Sequence, residues 1–252
     1  MHILISNDDG YDAPGIAVLA QALKNQHHTV TIVAPRENKS GCGMGLSLRR
    51  SVIVEEIDHQ YFIVNGTPAD CVYIGLNNLV SEPVDLVISG INNGANMADD
   101  ILYSGTFAAA MEARRMALPS IALSIPERAV KHYETAAYVA VAMSSALTAL
   151  TCKSLLAVLN VNVPDVATAN LRGFKATVLG EREAPFPPIK TSQNGGFSQY
   201  TLGPAGGFCA IKRSQIQDFE AVEHGYASIT PLSVKFDDSV YVADVQSWLD
   251  GL

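Results

Sequence analysis

Cysteine and histidine are too scattered in this sequence to form a disulfide framework or a zinc site. The four cysteines lie far apart with no Cys-x-x-Cys pair, and the six histidines include no His-x-His or His-x-x-x-His pair. Zinc ligands and the cysteines of small secreted domains occur at short, regular spacings. The pattern instead fits reduced thiols, so we expect a cytoplasmic protein.

Positive charge and long apolar runs are also scarce. The net charge is −8 at pH 7 and the pI is near 5.2. These values argue against electrostatic binding of duplex nucleic acid or of an anionic membrane over a broad surface. The longest apolar stretch, residues 135–150, is shorter than the roughly 20 residues of a membrane span. No basic segment precedes an apolar run at the amino terminus, so a signal peptide is not expected. An anionic ligand would therefore need a local cation, such as a metal ion.

The composition is that of a well-packed globular chain, with 252 residues of which 48% are hydrophobic and 17% charged. Over residues 1–163, β-rich runs alternate with segments of helical periodicity. The order predicts an α/β fold, with a Rossmann-like, doubly wound and mostly parallel sheet in a three-layer αβα arrangement. The predicted strands cover residues 1–6, 29–34, 51–57, 61–64, 85–90, 120–124 and 155–161. One predicted helix begins at residue 14, and the other predicted helices cover residues 66–78, 107–116 and 132–150.

The pattern changes from residue 164 onward. Residues 181–207 hold several prolines and glycines around short β-like pieces, which predicts a protruding β-rich arm. A short helix at 218–224, a strand at 225–230 and an amphipathic terminal helix at about 239–250 follow. With no repeat and no low-complexity linker, we predict one domain over residues 1–252, in which 164–252 extend a core of 1–163.

An acidic pair directly follows the first predicted strand. In Asn7-Asp8-Asp9-Gly10, two neighbouring carboxylates stand on the turn at the carboxyl end of the strand, the edge where α/β sheets bind ligands. Such a pair must be well solvated, share a proton or hold a hard cation. The alternative is an ordinary turn, since Asn, Asp and Gly are common turn residues.

Two further polar segments follow other predicted strands. They are Asn38-Lys39-Ser40-Gly41 and Ser89-Gly90-Ile91-Asn92, and the fold predicts that they converge with Asp8 and Asp9 on one crevice. Two carboxylates, a hydroxyl and an amide, completed by waters, suit one Mg²⁺ or Mn²⁺ ion and not zinc. A cation at this place could polarise a phosphoryl group and lower the pKa of a bound water. The constellation therefore indicates phosphoester hydrolysis, with Asp8 and Asp9 as the catalytic residues.

A candidate phosphate-binding segment precedes the Ala-rich helix. Ser104, Gly105 and Thr106 open this helix and can direct hydroxyl and backbone N–H groups at an anion, and Asn96 can approach from the preceding loop. The alternative is that Ser104 or Thr106 is only the N-cap of the helix.

Five colinear blocks carry a family resemblance. They are residues 5–10 with 13–16, 38–41, 66–72, 89–92 through 103–106 with 108–112, and 225–232. Any one block is a weak match, but five in order across nearly the whole chain leave little room for chance. On these residues the sequence resembles the SurE family, the survival-protein E 5′-nucleotidases.

This resemblance implies a divalent-metal-dependent phosphatase of nucleoside monophosphates. Its metal ligands map onto Asp8, Asp9, Ser40 and Asn92. It also implies a Rossmann-like core and a homodimer built by exchange of carboxyl-terminal elements, with a tetramer as a further possibility. Departures from the family pattern occur at Tyr11-Asp12, at residues 42–45 and over 185–217, which bear on substrate or metal preference and on the arm.

Three alternative interpretations of the acidic pair fit the sequence less well. A response-regulator receiver needs an Asp after its third strand and a Lys after its fifth, which are not found. A haloacid-dehalogenase-type phosphatase needs an Asp two residues after Asp8, where Gly10 stands. A non-catalytic nucleotide-binding module lacks support because no Gly-x-Gly-x-x-Gly follows the first strand. A phosphatase that acts mainly on 3′-nucleotides or polyphosphate is a further alternative.

Overall fold

The fold is described from a computed structural model over residues 1–150, 157–203, 205–209, 214–233 and 242–250. The strands are β1 (His2–Ser6), β2 (Thr29–Pro35), β3 (Val54–Asp58), β4 (Tyr61–Val64), β5 (Leu86–Asn93), β6 (Ser120–Ile125), β7 (Val158–Asn162), β8 (Phe174–Ala176), β9 (Ile189–Asn194), β10 (Phe197–Thr201) and β11 (Ala227–Leu232). The α-helices are α1 (Pro14–Asn25), α2 (Pro68–Ile74), α3 (Gly105–Glu112), α4 (Tyr133–Ala146), α5 (Asp218–Glu223) and α6 (Val242–Leu249).

The main sheet has the order β3-β4-β2-β1-β5-β6-β7-β11-β8 within the described residues. Its neighbouring strands are parallel, except that β3 with β4 and β7 with β11 are antiparallel. The chain builds outward from β1 through β2 and β4, and then begins the other half at β5. β1 and β5 therefore form the topological switch point, whose crevice beyond the carboxyl ends is the usual ligand site. The predicted doubly wound α/β fold is confirmed.

Helices cover both faces of the sheet because the side chains of each strand alternate. On β1, Ile3 and Ile5 pack in one cluster with residues of α1 and α4, such as Leu19 and Val139. Leu4 points the other way and packs with residues of α2 and α3. All three β1 side chains are fully buried, so β1 lies at the centre of the three layers.

The pairing of β5 with β6 slips by one residue at the edge of the crevice. Ser89 pairs with Ala122 and Asn92 pairs with Ser124, so three steps along β5 match two along β6. Such a bulge bends the strand and re-aims the side chains beside it. It lies where β5 runs on to Asn93, beyond the predicted end at residue 90, and so it positions Asn92 at the carboxyl edge of the sheet.

The carboxyl-terminal part joins the sheet and also leaves it. β11 pairs antiparallel with β7 and parallel with β8, and β8 is a strand that the sequence analysis did not predict. The predicted arm contains the antiparallel hairpin of β9 and β10, in which every residue is exposed. The division at residue 163 stays a prediction, although one sheet contains strands from both sides of it.

The other element boundaries agree with the predictions to within a few residues. α2 continues as a π-helical turn to Leu79, and α4 continues after Ala146 as a 3₁₀ turn, Leu147–Ala149. The first residues of the predicted strand 155–161 and of the terminal helix lie outside the described residues, which contain β7 from Val158 and α6 from Val242. Among the described residues, no helix has both the length and the apolar character needed to cross a membrane.

The first turn of α1 packs closely against the bulged part of β5. A Cβ atom on Gly15 would lie 2.2 Å from the carbonyl oxygen of Ile91, a backbone atom that cannot rotate away. We expect Gly15→Ala to lower the free energy of unfolding by about 1–3 kcal/mol, as overpacking does. Urea denaturation measures it, and Gly196→Ala is the control because nothing lies within 4 Å of its added Cβ. Equal losses in the two variants would contradict the close contact.

Candidate functional site

The acidic pair lies on a braced turn at the end of β1. The Asn7 side chain donates through Nδ2 to the carbonyl oxygen of Gly10 (2.7 Å) and accepts from the Gly10 N–H through Oδ1 (3.3 Å). These reciprocal bonds fix the short turn between them. Asp8 and Asp9 are thus held at the switch point by a local motif that is visible in the sequence.

Asp8 is the more buried carboxylate, with only 3% of the residue exposed. Its Oδ1 accepts a hydrogen bond from the hydroxyl of Thr106 at 2.6 Å, and the Thr106 backbone N–H also stabilises its charge. The pKa of Asp8 is raised to about 6, mainly by burial and in smaller part by the neighbouring charge of Asp9, while the Thr106 bond opposes the shift. A nearby cation would favour the charged form.

Asp9 is held by backbone and side-chain donors from two other loops. Its Oδ2 accepts from the N–H of Asn93 at 3.0 Å, and its Oδ1 accepts from Nδ2 of Asn38 at 3.4 Å. Burial raises the pKa of Asp9 above its ordinary value, and the Asn93 bond opposes that shift. The side chain is therefore fixed between the ends of β1, β2 and β5.

The loop after β2 places Ser40 beside the pair. The N–H of Lys39 donates to the carbonyl oxygen of Asp8 at 2.7 Å, and the N–H of Ser40 donates to Oδ1 of Asn38 at 2.8 Å. The second bond is an Asx turn, which shapes the loop locally. The first bond attaches the loop to the acidic pair, and Ser40 lines the same pocket as Asp8 and Asp9.

Asn92 enters this pocket from the bulge of β5. It is buried, and its Nδ2 donates to the carbonyl oxygen of Gly94 at 3.0 Å. This bond orients the amide, and its Oδ1 has no hydrogen-bond donor within the described part of the chain. The amide oxygen is therefore available as a ligand.

The residues predicted to bind phosphate divide into two groups. Ser104 and Asn96 line the pocket, whereas Gly105 and Thr106 are not among its lining residues. Thr106 bonds to Asp8, and a Cβ on Gly105 would lie 2.8 Å from Cβ of Asp8. Gly105 is thus needed for the close approach of α3 to Asp8. The phosphate roles of all four residues stay predictions.

Ser104 is the N-cap of α3. Its Oγ accepts from the N–H of Phe107 at 3.0 Å, which leaves the hydroxyl hydrogen free to donate. Asn96 donates from Nδ2 to Oγ of Ser124 at 2.7 Å, and its backbone accepts from Asn160 and Asn162. One N–H of the Asn96 amide remains, so both residues can still donate to a ligand in the pocket.

The pocket has a volume of about 660 Å³ and brings most of the predicted residues together. It also contains residues that sequence reasoning missed. These are Asn93, Asp100, Tyr103, Glu127, Arg128 and Arg182, together with smaller neighbours. Asn93 stands beside the predicted ligand Asn92, which is the signal that could have found it, whereas nothing in the local sequence marks Arg182.

The donor set fits a hard divalent cation. A buried and a half-buried carboxylate, one hydroxyl and one free amide oxygen face one pocket, and they match the oxygen ligands of Mg²⁺ and Mn²⁺. The described residues contain no group of three or more His, Cys, Asp or Glu side chains that could hold a metal. A cation here would therefore take part of its coordination from the neutral oxygens and from water.

Comparisons with known proteins agree with this architecture. The family model "Survival protein SurE" matches residues 3–185. Similar proteins include "5'-nucleotidase SurE" of Xylella fastidiosa, 41% identical over 100% of this chain and 97% of the relative, and that of Actinobacillus succinogenes, 42% identical over 99% of each. The crystal structure of the SurE protein from Aquifex aeolicus has 35% identity and a TM-score of 0.86, and the match covers 99% of this chain and 100% of that chain. The chain therefore belongs to the survival protein SurE family.

Proposed function

We propose that this protein hydrolyses nucleoside 5′-monophosphates to nucleoside and phosphate with a bound divalent metal ion. The observation that carries the proposal is the acidic pair at the switch point, in which Asp8 is buried against the start of α3 and Asp9 is half-buried. The similar proteins of Xylella fastidiosa and Actinobacillus succinogenes are named 5′-nucleotidases, which supports the choice of substrate.

Asp8, Asp9, Ser40 and Asn92 would hold the metal, one ion per subunit, and Mg²⁺ or Mn²⁺ suits their oxygen atoms. When bound, such an ion supplies positive charge to a phosphoryl group and lowers the pKa of water. The protein contributes orientation, because the hydrogen bonds donated to Asp8 and Asp9 fix both carboxylates before any ligand binds. Preorganised charge of this kind is usually the largest part of enzymatic rate acceleration.

The start of α3 would receive the phosphate oxygens of the substrate. The helix dipole and the unpaired N–H groups of a first turn favour an anion, and the Ser104 hydroxyl keeps its hydrogen for donation. Asn96 can add one N–H from the neighbouring loop. These donors line the same pocket as the two carboxylates. They would hold the phosphate group in an orientation that lets a water molecule attack the phosphorus.

The acidic pair provides a direct test of the metal role. We expect Asp9→Asn to abolish Mn²⁺-dependent release of phosphate from nucleoside 5′-monophosphates while the protein stays folded, because it removes a ligand and a like-charge repulsion. Mn²⁺ should raise the melting temperature of the wild type but not of Asp9→Asn. Asp58→Asn, an exposed carboxylate outside the pocket, is the control. Activity near that of the wild type in Asp9→Asn would refute the assignment.

The phosphate donors can be separated from simple helix capping. We expect Ser104→Ala and Asn96→Ala each to lower kcat/KM by at least about tenfold without loss of bound metal, since positioned donors act on the transition state. Ser104→Ala should also lose about 1 kcal/mol of stability, as for any N-cap. Thr67→Ala removes the N-cap of α2 and controls for capping alone. If Ser104→Ala resembled Thr67→Ala in turnover, Ser104 would be only a cap.

We also propose a homodimer, and the terminal helix is the element that supports it. α6 has no buried residue, and its apolar side chains Val242, Val245, Trp248 and Leu249 are exposed, with Trp248 at 65%. Apolar residues on one side of a helix require a partner surface. A tetramer would form through the exposed hairpin of β9 and β10.

We also propose a cytoplasmic location. The cysteines Cys42, Cys71 and Cys209 are free thiols, which suit a reducing compartment.

Truncation tests the role of α6 in assembly. We expect removal of residues 242–252 to convert the dimer to a monomer in sedimentation velocity experiments, because it removes the apolar side chains that the partner would cover. Trp248→Ala should weaken the dimer in the same assay. An unchanged dimer after truncation, or a monomeric full-length chain, would contradict the proposal.

A further inference from the structure

Arg182 is a pocket residue that lies at the start of the arm predicted over residues 181–207. Its Nε donates to Oδ1 of Asp100 at 2.8 Å, and its Nη2 donates to the other oxygen of the same carboxylate. Its Nη1 donates to the carbonyl oxygen of Gly206 at 2.8 Å, and its guanidinium carbon lies 4.2 Å from the ring centroid of Phe208. The side chain is 18% exposed. It is held in one orientation by a bidentate ion pair, a backbone bond and an aromatic contact.

Asp100 belongs to the 3₁₀ helix Ala98–Tyr103, which leads directly to Ser104. A second attachment holds this helix, because Oδ2 of Asp218 accepts from the N–H of Ala98 at 2.8 Å. The other oxygen of Asp218 accepts from the N–H of Gly180 at 3.0 Å. The pocket wall before α3 and the segment that contains Arg182 are therefore fixed to each other at two points.

The Arg182–Asp100 pair has unused hydrogen-bonding capacity toward the pocket. A guanidinium has five N–H donors, of which three are used in the contacts above. For the other two, the described part of the chain provides no acceptor. A carboxylate has about four lone-pair sites, and Asp100 accepts two bonds from Arg182. The pair can thus donate to and accept from the same ligand group.

The pocket has room for more of a substrate than its phosphate group. Asp8, Asp9 and Ser104 line the same pocket, and a phosphate group bound beside them fills only part of about 660 Å³. The rest of a substrate would meet the remaining lining, whose charged side chains are those of Asp100, Glu127, Arg128 and Arg182. Among these four, Arg182 and Asp100 are fixed in place by an ion pair with each other. A fixed donor costs little conformational entropy when it binds a ligand.

We propose that the Arg182–Asp100 pair binds the nucleoside part of the substrate through its hydroxyl or carbonyl oxygens and N–H groups. This inference rests on the proposed nucleotidase function and adds a residue that determines specificity. Arg182 would act on the sugar and base side of the phosphate ester and not on the phosphate itself. The proposal therefore gives the first residues of the arm a role in substrate selection.

The test compares two phosphate monoesters, a nucleoside 5′-monophosphate and p-nitrophenyl phosphate, which has neither sugar nor base. We expect Arg182→Gln and Asp100→Asn each to raise KM for the nucleotide and to lower the ratio of the two kcat/KM values at least about tenfold, as for a lost hydrogen bond to a specificity group. Arg182→Lys keeps the charge but loses the planar fork, and it should restore only part of the ratio. The inhibition constant of the product nucleoside should rise in parallel.

Arg172→Gln is the matched control. Arg172 also donates to a backbone carbonyl, that of His224, and lies over an aromatic ring, that of Tyr226, but it does not line the pocket. We expect it to leave the ratio unchanged. Melting temperatures identify any variant that fails to fold, in which case Arg182→Lys and Asp100→Asn decide the question.

The outcomes separate this proposal from the function on which it rests. An equal loss on both substrates in the folded Arg182 and Asp100 variants would overturn the proposal, since the pair would then only support the pocket wall. A wild-type enzyme that cleaves p-nitrophenyl phosphate but shows no preference for nucleotides would also overturn it. Failure of the wild type to cleave either ester with Mn²⁺ or Mg²⁺ would instead refute the proposed function.

Discussion

The repulsion between Asp8 and Asp9 is the constraint on which the site depends. Two neighbouring carboxylates are largely removed from water here, and burial raises the pKa of both. The protein offsets this cost with donors from three places, namely Thr106 in α3, Asn93 at the end of β5 and Asn38 after β2. Because each donor must stand within bonding distance, the loops around the pair have little freedom. The arrangement favours a cation in the crevice, which would stabilise both charged forms.

The topology of the sheet explains why these donors can meet. β1 lies between β2 and β5, so three loops at the carboxyl ends of parallel strands surround one crevice. The bulge in β5 turns Asn92 toward this crevice, and the close contact between Gly15 and Ile91 supports the bulged segment from α1. Core packing and site geometry are therefore coupled through the same residues of β5.

The carboxyl-terminal part is joined to both the sheet and the pocket. Its strand β11 extends the sheet beyond β7, and its residues Asp218 and Arg182 attach to the helix that precedes Ser104. The segment that departs most from the family pattern thus begins beside the pocket. Under the proposal for Arg182 and Asp100, variation there would alter substrate selection while the acidic pair and α3 remain the same.

The fold class and the position of the acidic pair follow from the order of the amino acids alone. Alternating apolar patterns encode strands and helices locally, and Asn7 braces the turn that presents Asp8 and Asp9 over a few residues. How these residues are supported depends on contacts between distant segments. Thr106 reaches Asp8 across 98 residues and Arg182 reaches Asp100 across 82. Such contacts depend on strand order, register and one bulge, which are properties of the packed sheet and not of any local segment.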